Sequence, residues 1–185
     1  MPRDIRIILW LLLLCGFTSV LYFFSLIVHV PVAITALVVA GWAGLSLWWM
    51  RKIAILPEPE LRTKEVLRAY VVFAGGLAVI VSNAYIHTKQ YGHWDAWWLW
   101  DHKAKYLQGE GYWRELFALN DSFHPDYPLF LSSLVAFVWR LMGSYNHVVP
   151  FTFSMVVAVC SPALIFLSLY RRNLVVASLA FLSLA

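Results

Sequence analysis

Charged residues are scarce in this sequence. Asp, Glu, Lys and Arg supply 13% of its 185 residues and hydrophobic residues supply 62%, whereas charged residues make up about a quarter of an ordinary soluble domain. This deficit excludes a soluble globular domain and predicts a polytopic membrane protein. The net charge of +4 does not indicate nucleic-acid binding, because the basic residues of a membrane protein matter through the loops in which they fall.

Cysteine is nearly absent as well. Cys15 and Cys160 each lie in an apolar run, where a thiol most often packs as a small hydrophobic side chain. The sequence therefore predicts no disulfide framework and indicates no redox compartment. A convincing signal-peptide cleavage site is also missing, since the first apolar run continues to Val28, so this run predicts a retained helix. The sequence contains no internal repeat and no low-complexity segment.

Two long apolar runs open the chain. Ile5 to Val28 and Pro31 to Met50 are each about as long as the roughly 20 residues that a bilayer requires, and they predict a transmembrane hairpin over residues 1–52. Basic residues bracket this hairpin at Arg3, Arg6, Arg51 and Lys52. By the positive-inside tendency, both ends of the hairpin are expected in the cytoplasm. The family resemblance given below implies the inner, or plasma, membrane of the cell.

A third span follows a short polar segment. Residues 53–68 are rich in proline and charge and predict a cytoplasmic linker, whereas Ala69 to Ile86 is apolar and predicts a helix that returns the chain to the outside. Gly75 and Gly76 lie inside this span. Such small residues let another helix approach closely.

Two later apolar runs leave the topology open. Tyr127 to Met142 has 16 residues and Val148 to Leu169 has 22. If the first run spans, Arg171 and Arg172 fall outside, against the positive-inside tendency, whereas partial insertion makes them cytoplasmic. We favour spanning, because about 16 to 18 residues at 1.5 Å each nearly cross a thin bilayer core. The final run, from Leu174 to Ala185, is too short to span, so we expect an N-terminal fragment of a longer protein.

These runs predict an all-α fold, a polytopic transmembrane helical bundle with an extracytoplasmic loop over residues 87–126 that carries interfacial helices. Residues 69–185 form the start of the main membrane domain. The stretch from Tyr91 to Pro128 contains six of the ten acidic residues, half of the tryptophans and three of the six histidines. This loop is the candidate functional region.

The first part of the loop, Trp94 to Leu107, lacks Gly and Pro and predicts an aromatic helix in the membrane interface. At 100° per residue, Asp95 and His102 fall on the same face and Asp101 on another. Asp101 precedes Lys105 by four residues, the favourable spacing for a helical ion pair. We therefore interpret Asp101 as a structural partner of Lys105.

Asp95 is the candidate catalytic acid. It follows a span and lies between tryptophans, where reduced solvation suits a carboxylate to take the proton of a neutral hydroxyl. The alternative is that it caps the helix by accepting backbone hydrogen bonds. Lys103 and Lys105 are suited either to the phosphate of an anionic lipid substrate or to snorkelling towards headgroups.

The loop ends in the sequence HPDYPLF. Pro125 and Pro128 stiffen this segment, with Pro128 placed for the first turn of a helix. His124 and Asp126 are thereby expected at the membrane surface, within reach of the Asp95 helix.

Histidines in and beside the loop raise the question of a metal site. They are His87, His93, His102 and His124. No pair has the i, i+4 or short-turn spacing of a specific histidine site. We therefore predict neither a metal site nor another cofactor, and a divalent metal has no support in the pattern.

The loop and its surroundings resemble a known family. WDAWWLWDHKAKYL after an early transmembrane helix, with HPDYPL at the start of the next, is similar to membrane glycosyltransferases of the GT-C type. The resemblance is greatest to bacterial members related to protein O-mannosyltransferases and the lipid A aminoarabinose transferase, and it covers about Ala69 to Ala185. It implies a polyprenyl-phosphate-linked sugar donor, a glycan, lipid or protein acceptor, contact with membrane lipid, and an acidic residue as the base.

The resemblance also implies roles for particular residues. Asp95 matches the acid of the first loop, and Lys103 and Lys105 match positions that meet the donor phosphate. The other residues assigned to substrate binding are His102, His124 and Asp126. The chain departs from the family where Ala96 replaces the second member of an acidic pair, and where Asp126 stands in place of a second proline.

Two other functions remain open. A non-catalytic transporter or lipid-handling subunit would use the aromatic loop as an interfacial clamp, and a structural assembly factor would need no chemistry at all. A proton-coupled transporter is expected to carry ionisable residues deep inside its spans. An enzyme of the predicted kind gathers them at the outer surface instead.

Overall fold

A computed structural model describes residues 3–52, 63–88, 100–109, 112–118 and 129–184 of the chain. Over these ranges the fold is all-α and contains no strand, which confirms the all-α part of the predicted fold.

Four helices are long and apolar enough to cross a membrane. In chain order, they are α1 (Arg3–Ile27), α2 (Val32–Lys52), α3 (Thr63–Thr88) and the seventh helix, α7 (Val148–Leu169). The chain is therefore a membrane protein. Helix α3 begins inside the predicted linker, because polar residues extend it by more than a turn beyond the apolar span.

A tight turn joins α1 and α2. His29 adopts a left-handed backbone with φ of 57°, and Pro31 precedes the first residue of α2, where its missing N–H does no harm. The hydroxyl of Thr35 donates a buried 2.9 Å hydrogen bond to Ser25 Oγ. This bond fastens the start of α2 to the end of α1.

The remaining helices are short. They are α4 (His102–Gln108), α5 (Glu115–Ala118), α6 (Phe130–Met142) and α8 (Leu174–Leu182), with a 3₁₀ turn at Tyr112–Arg114. Helix α4 is the C-terminal part of the aromatic helix predicted from Trp94, whose first residues, 94–99, lie outside the described ranges.

The chain divides into two compact units. The terminal unit contains Met1–Leu12, Ser46–Ile86 and Met155–Ala185, and the loop unit contains Leu13–Leu45 and His87–Ser154. The long helices α1, α2 and α7 each contribute residues to both.

The loop unit is built around α6. Seven of its 13 residues are buried, among them every residue from Ser132 to Phe137, so protein surrounds the middle of this helix on all sides. Helix α4 packs along it, and the Ser132 hydroxyl donates to the Trp100 carbonyl at 3.0 Å. The Tyr22 hydroxyl of α1 donates to the Leu107 carbonyl at 2.8 Å.

Helix α6 is too short to span. Its 13 residues measure about 20 Å at 1.5 Å each, against a hydrocarbon core of about 30 Å, and Gly143 ends it in a left-handed conformation with φ of 66°. The length of the described helix thus favours partial insertion of Tyr127–Met142 over the spanning interpretation that we favoured. Protein neighbours cover the middle of α6, and they call for apolar side chains just as lipid does.

The terminal unit packs around three aromatic rings. Phe181 of α8 lies 5.3 Å from Phe73 and 5.4 Å from Phe166, measured between ring centroids. A Cβ atom on Gly76 would overlap the Phe181 ring, whereas one on Gly75 would have no neighbour within 4 Å. The close approach predicted for the glycine pair therefore belongs to Gly76.

Candidate functional site at the start of α4

An acidic side chain is buried where α4 begins. Asp101 directly precedes the helix and is 8% exposed. His147, in the turn between α6 and α7, places its Nδ1 3.9 Å from Asp101 Oδ2. That distance is an ion-pair distance, beyond the range of a direct hydrogen bond.

The turn that carries His147 is fixed by its neighbours. The Trp139 indole N–H donates to the Asn146 carbonyl at 2.8 Å, and Asn146 Oδ1 accepts from the Val148 amide at 2.8 Å. Tyr145 meets the Trp139 ring edge-on at 5.3 Å. The imidazole of His147 is therefore held next to α4 by ordered backbone on both sides.

The two lysines of α4 have different environments. Lys103 is 1% exposed and lies 5.8 Å from the centre of the Trp100 ring. Lys105 is partly exposed and lies 5.8 Å from the centre of the Tyr145 ring. Two residues on a helix differ by about 200°, so the lysines point to opposite sides of α4. The side chain of Lys103 is therefore buried in protein, and the two lysines do not face a common ligand.

The charge of Asp101 depends on competing effects. Burial raises the pKa of Asp101 above its ordinary value of 3.8, while His147 and then Lys105 act in the opposite direction. The predicted association of Asp101 with Lys105 is thus present as an electrostatic interaction. The histidine is the larger of the two opposing influences.

His102 follows Asp101 and lies on a different face of α4. Its ring centroid is 5.3 Å from that of Tyr106. Partial burial, and then the charge of Lys105, lower the pKa of His102. A neutral imidazole is therefore favoured here, and it is able to donate one hydrogen bond and accept another.

Two buried polar atoms in this part of the chain lack partners. Gln108 Oε1 and Trp113 Nε1 have no hydrogen-bond partner in the structure. Trp113 also packs edge-on against Phe23 and Phe117, with ring centroids 6.2 and 6.4 Å away. Buried polar groups nearly always have partners, so this acceptor and this donor are candidates for contact with a ligand.

The structure does not describe three of the predicted site residues. Asp95, His124 and Asp126 lie outside the described ranges, so their roles stay predictions. His147 was missed by sequence reasoning, which ended the candidate region at Pro128. The signal for it was the shortness of the apolar run before it, because a helix that does not span returns the chain to the side of the loop.

Metal ligands do not gather in the part of the chain that the structure describes: it has no group of three or more His, Cys, Asp or Glu side chains placed to hold an ion.

Models of known protein families, the curated proteins and the solved structures were compared with this chain, and none of them matches. The resemblance to GT-C glycosyltransferases consequently rests on the quoted segments alone.

Burial of Asp101 predicts a pH-dependent stability. The folded-state pKa is raised above 3.8, so the contribution of Asp101 is fully present below that pH and is lost as the pH rises through the folded-state value. Asp101→Asn removes the cost of burying the ionised form. We expect its melting temperature, relative to wild type, to increase as the pH rises from about 4 to about 8, measured by thermal unfolding in detergent micelles.

The His147→Gln background supplies the control for this prediction. Removing the imidazole of His147 removes the largest influence that favours ionised Asp101, so the gain from Asp101→Asn should be larger there. A melting-temperature difference that is the same at every pH would contradict the prediction.

Proposed function

We propose that this protein is a membrane glycosyltransferase that moves a sugar from a polyprenyl-phosphate-linked donor to an extracytoplasmic acceptor. In this proposal the N-terminus is cytoplasmic, the membrane is the inner membrane, and the acceptor is a glycan, lipid or protein. The observation that carries it is the concentration of ionisable and unsatisfied polar groups on α4 and the residues after it.

The distribution of charge supports an enzyme over a proton-coupled transporter. In the described residues of α1, α2 and α3, the Asp, Glu, Lys, Arg and His side chains lie only near the helix ends, and α7 has none of these residues. The loop unit instead gathers Asp101, Lys103, Lys105 and His147 around α4. A transporter that couples to protons is expected to carry such groups within its spans.

Gln108 and Trp113 support a sugar as the ligand. A sugar hydroxyl both donates and accepts hydrogen bonds, which suits the acceptor Gln108 Oε1 and the donor Trp113 Nε1. The aromatic surface around Trp113 suits the apolar face of a sugar ring.

The reaction in this proposal uses one base and one cation. The acceptor hydroxyl oxygen attacks the anomeric carbon and loses its proton to the Asp95 carboxylate. The bond from that carbon to the phosphate oxygen breaks, and the phosphate leaves with the electron pair. Lys105, the more open of the two lysines, stabilises the departing charge, which in a poorly hydrated site is worth several kcal/mol. His102, His124 and Asp126 remain candidates for contacting the donor or the acceptor.

The test is transfer from a lipid-linked sugar by the full-length protein. Asp95→Asn should reduce turnover by about 10²–10⁴-fold, the usual contribution of a general base. Lys105→Gln should weaken the use of donor, and Lys103→Gln shows whether the buried amine takes part. Glu115→Gln, an exposed carboxylate on α5, is the matched control and should retain activity.

Three outcomes would change the proposal. Wild-type turnover by Asp95→Asn would remove Asp95 as the base. Loss of activity in Asp101→Asn together with an active Asp95→Asn would move the base to the acid beside His147. Lipid binding by the wild type with no sugar transfer to any acceptor would favour the non-catalytic, lipid-handling function.

A further inference from the structure

The terminal unit contains a cavity that the proposed transferase chemistry does not use. Its volume is about 300 Å³, and α1, α3 and α7 form its walls. The lining includes Ile8, Val66, Phe73, Phe166, Leu167 and Tyr170. The volume is at the lower end of the range for small-molecule sites, which are typically apolar with a few polar groups. An extended apolar chain suits such walls better than a polar solute.

A cation stands beside one wall of this cavity. Arg171 Nε donates a 2.8 Å hydrogen bond to the hydroxyl of Tyr170, and its guanidinium lies 5.3 Å from the centre of the same ring. Tyr170 is one of the residues that line the cavity, so the guanidinium of Arg171 is hydrogen-bonded to a lining residue. Arg172 follows and is exposed.

The described side chains of the terminal unit are strongly basic. Among the side chains that the structure describes in the terminal unit, the cations are Arg6, Arg51, Lys52, Lys64, Arg68, Arg171 and Arg172. The same set of described side chains includes one carboxylate, that of Glu65 in the first turn of α3. Arg6 Nη1 donates a 3.2 Å hydrogen bond to the Met50 carbonyl oxygen. An anion is therefore favoured over a neutral or cationic group in this unit.

We infer that this cavity binds an anionic phospholipid, with one acyl chain between α1, α3 and α7 and the headgroup phosphate at Arg171. The apolar walls suit the acyl chain of the lipid, and the guanidinium of Arg171 beside Tyr170 suits the negative charge of the phosphate. Basic pockets between transmembrane helices bind anionic headgroups for the same reason. This site is separate from the α4 residues and does not depend on the proposed transferase activity.

The test is native mass spectrometry of the purified protein with phosphatidylglycerol and with phosphatidylcholine of the same acyl chains. We expect the wild type to bind phosphatidylglycerol more tightly. Arg171→Gln should weaken that binding about fivefold, the effect of about one basic residue at an anionic surface. Val66→Phe should weaken it at least as much by occupying the cavity, with Leu167→Phe as a second filling variant if the first does not fold.

Arg51→Gln is the matched control, because Arg51 is an exposed cation of the same unit that does not line the cavity. It should bind phosphatidylglycerol as the wild type does. Equal binding of the two lipids by the wild type would overturn the inference, and so would an equal loss in Arg51→Gln. Unchanged binding by folded Val66→Phe and Leu167→Phe would also overturn it, since the lipid would then lie outside the cavity.

Discussion

Ser144→Cys is expected to react with a membrane-impermeant maleimide from the same side of the membrane as Tyr112→Cys. Ser144 is exposed in the turn after α6, and α6 is too short to carry the chain across. In the same turn, His147 contacts Asp101 at the start of α4, and α4 contacts the end of α1 through Leu107 and Tyr22. The effect is all-or-none, measured by labelling sealed vesicles of known orientation.

The labelling experiment has controls within the chain. Tyr112 is 58% exposed on the loop side, and Arg172 is exposed after α7, whose 22 residues are long enough to cross the bilayer at 1.5 Å each. Arg172→Cys should therefore react only from the other side. Cys15 and Cys160 are first replaced by alanine. Labelling of Ser144→Cys together with Arg172→Cys, on the side opposite Tyr112→Cys, would restore the spanning interpretation of Tyr127–Met142.

Gly76→Ala is expected to destabilise the protein while Gly75→Ala does not. A Cβ on Gly76 would overlap the ring of Phe181, which is fully buried between α3, α7 and α8. Overpacking of this kind costs about 1–3 kcal/mol, because the ring has to leave its rotamer or the helices have to separate. Thermal unfolding in detergent should show a clear decrease in melting temperature.

Gly75 is a matched control one residue away in the same helix. Its Cβ would meet no atom within 4 Å, and alanine is the better helix former by about 0.5–1 kcal/mol in water. Gly75→Ala should therefore leave the melting temperature unchanged or raise it. In a Phe181→Ala background the cost of Gly76→Ala should shrink, since the clashing ring is gone. Equal stability of the two glycine variants would show that Phe181 does not occupy this position.

The sequence alone determined the elements that depend on local composition. Long apolar runs with charges at their ends predicted the helices α1, α2, α3 and α7, and Pro31 after a short polar turn predicted the hairpin. These predictions succeed because backbone groups in a membrane are satisfied only within regular structure, so a span of about 20 apolar residues has to be helical. The glycine pair of α3 was likewise visible as a place of close contact.

Features that depend on neighbours distant in sequence were decided only by the tertiary structure. Helix α6 is as apolar as a span, but protein of its own unit takes the place of lipid around the middle of the helix. Lys103 and Lys105 are alike in sequence, yet packing buries one and leaves the other open. Helical phase assigned Asp101 to Lys105, whereas the fold adds His147 from 46 residues further along the chain. Local patterns set which segments form helices, and contacts across the fold decide which polar side chains meet.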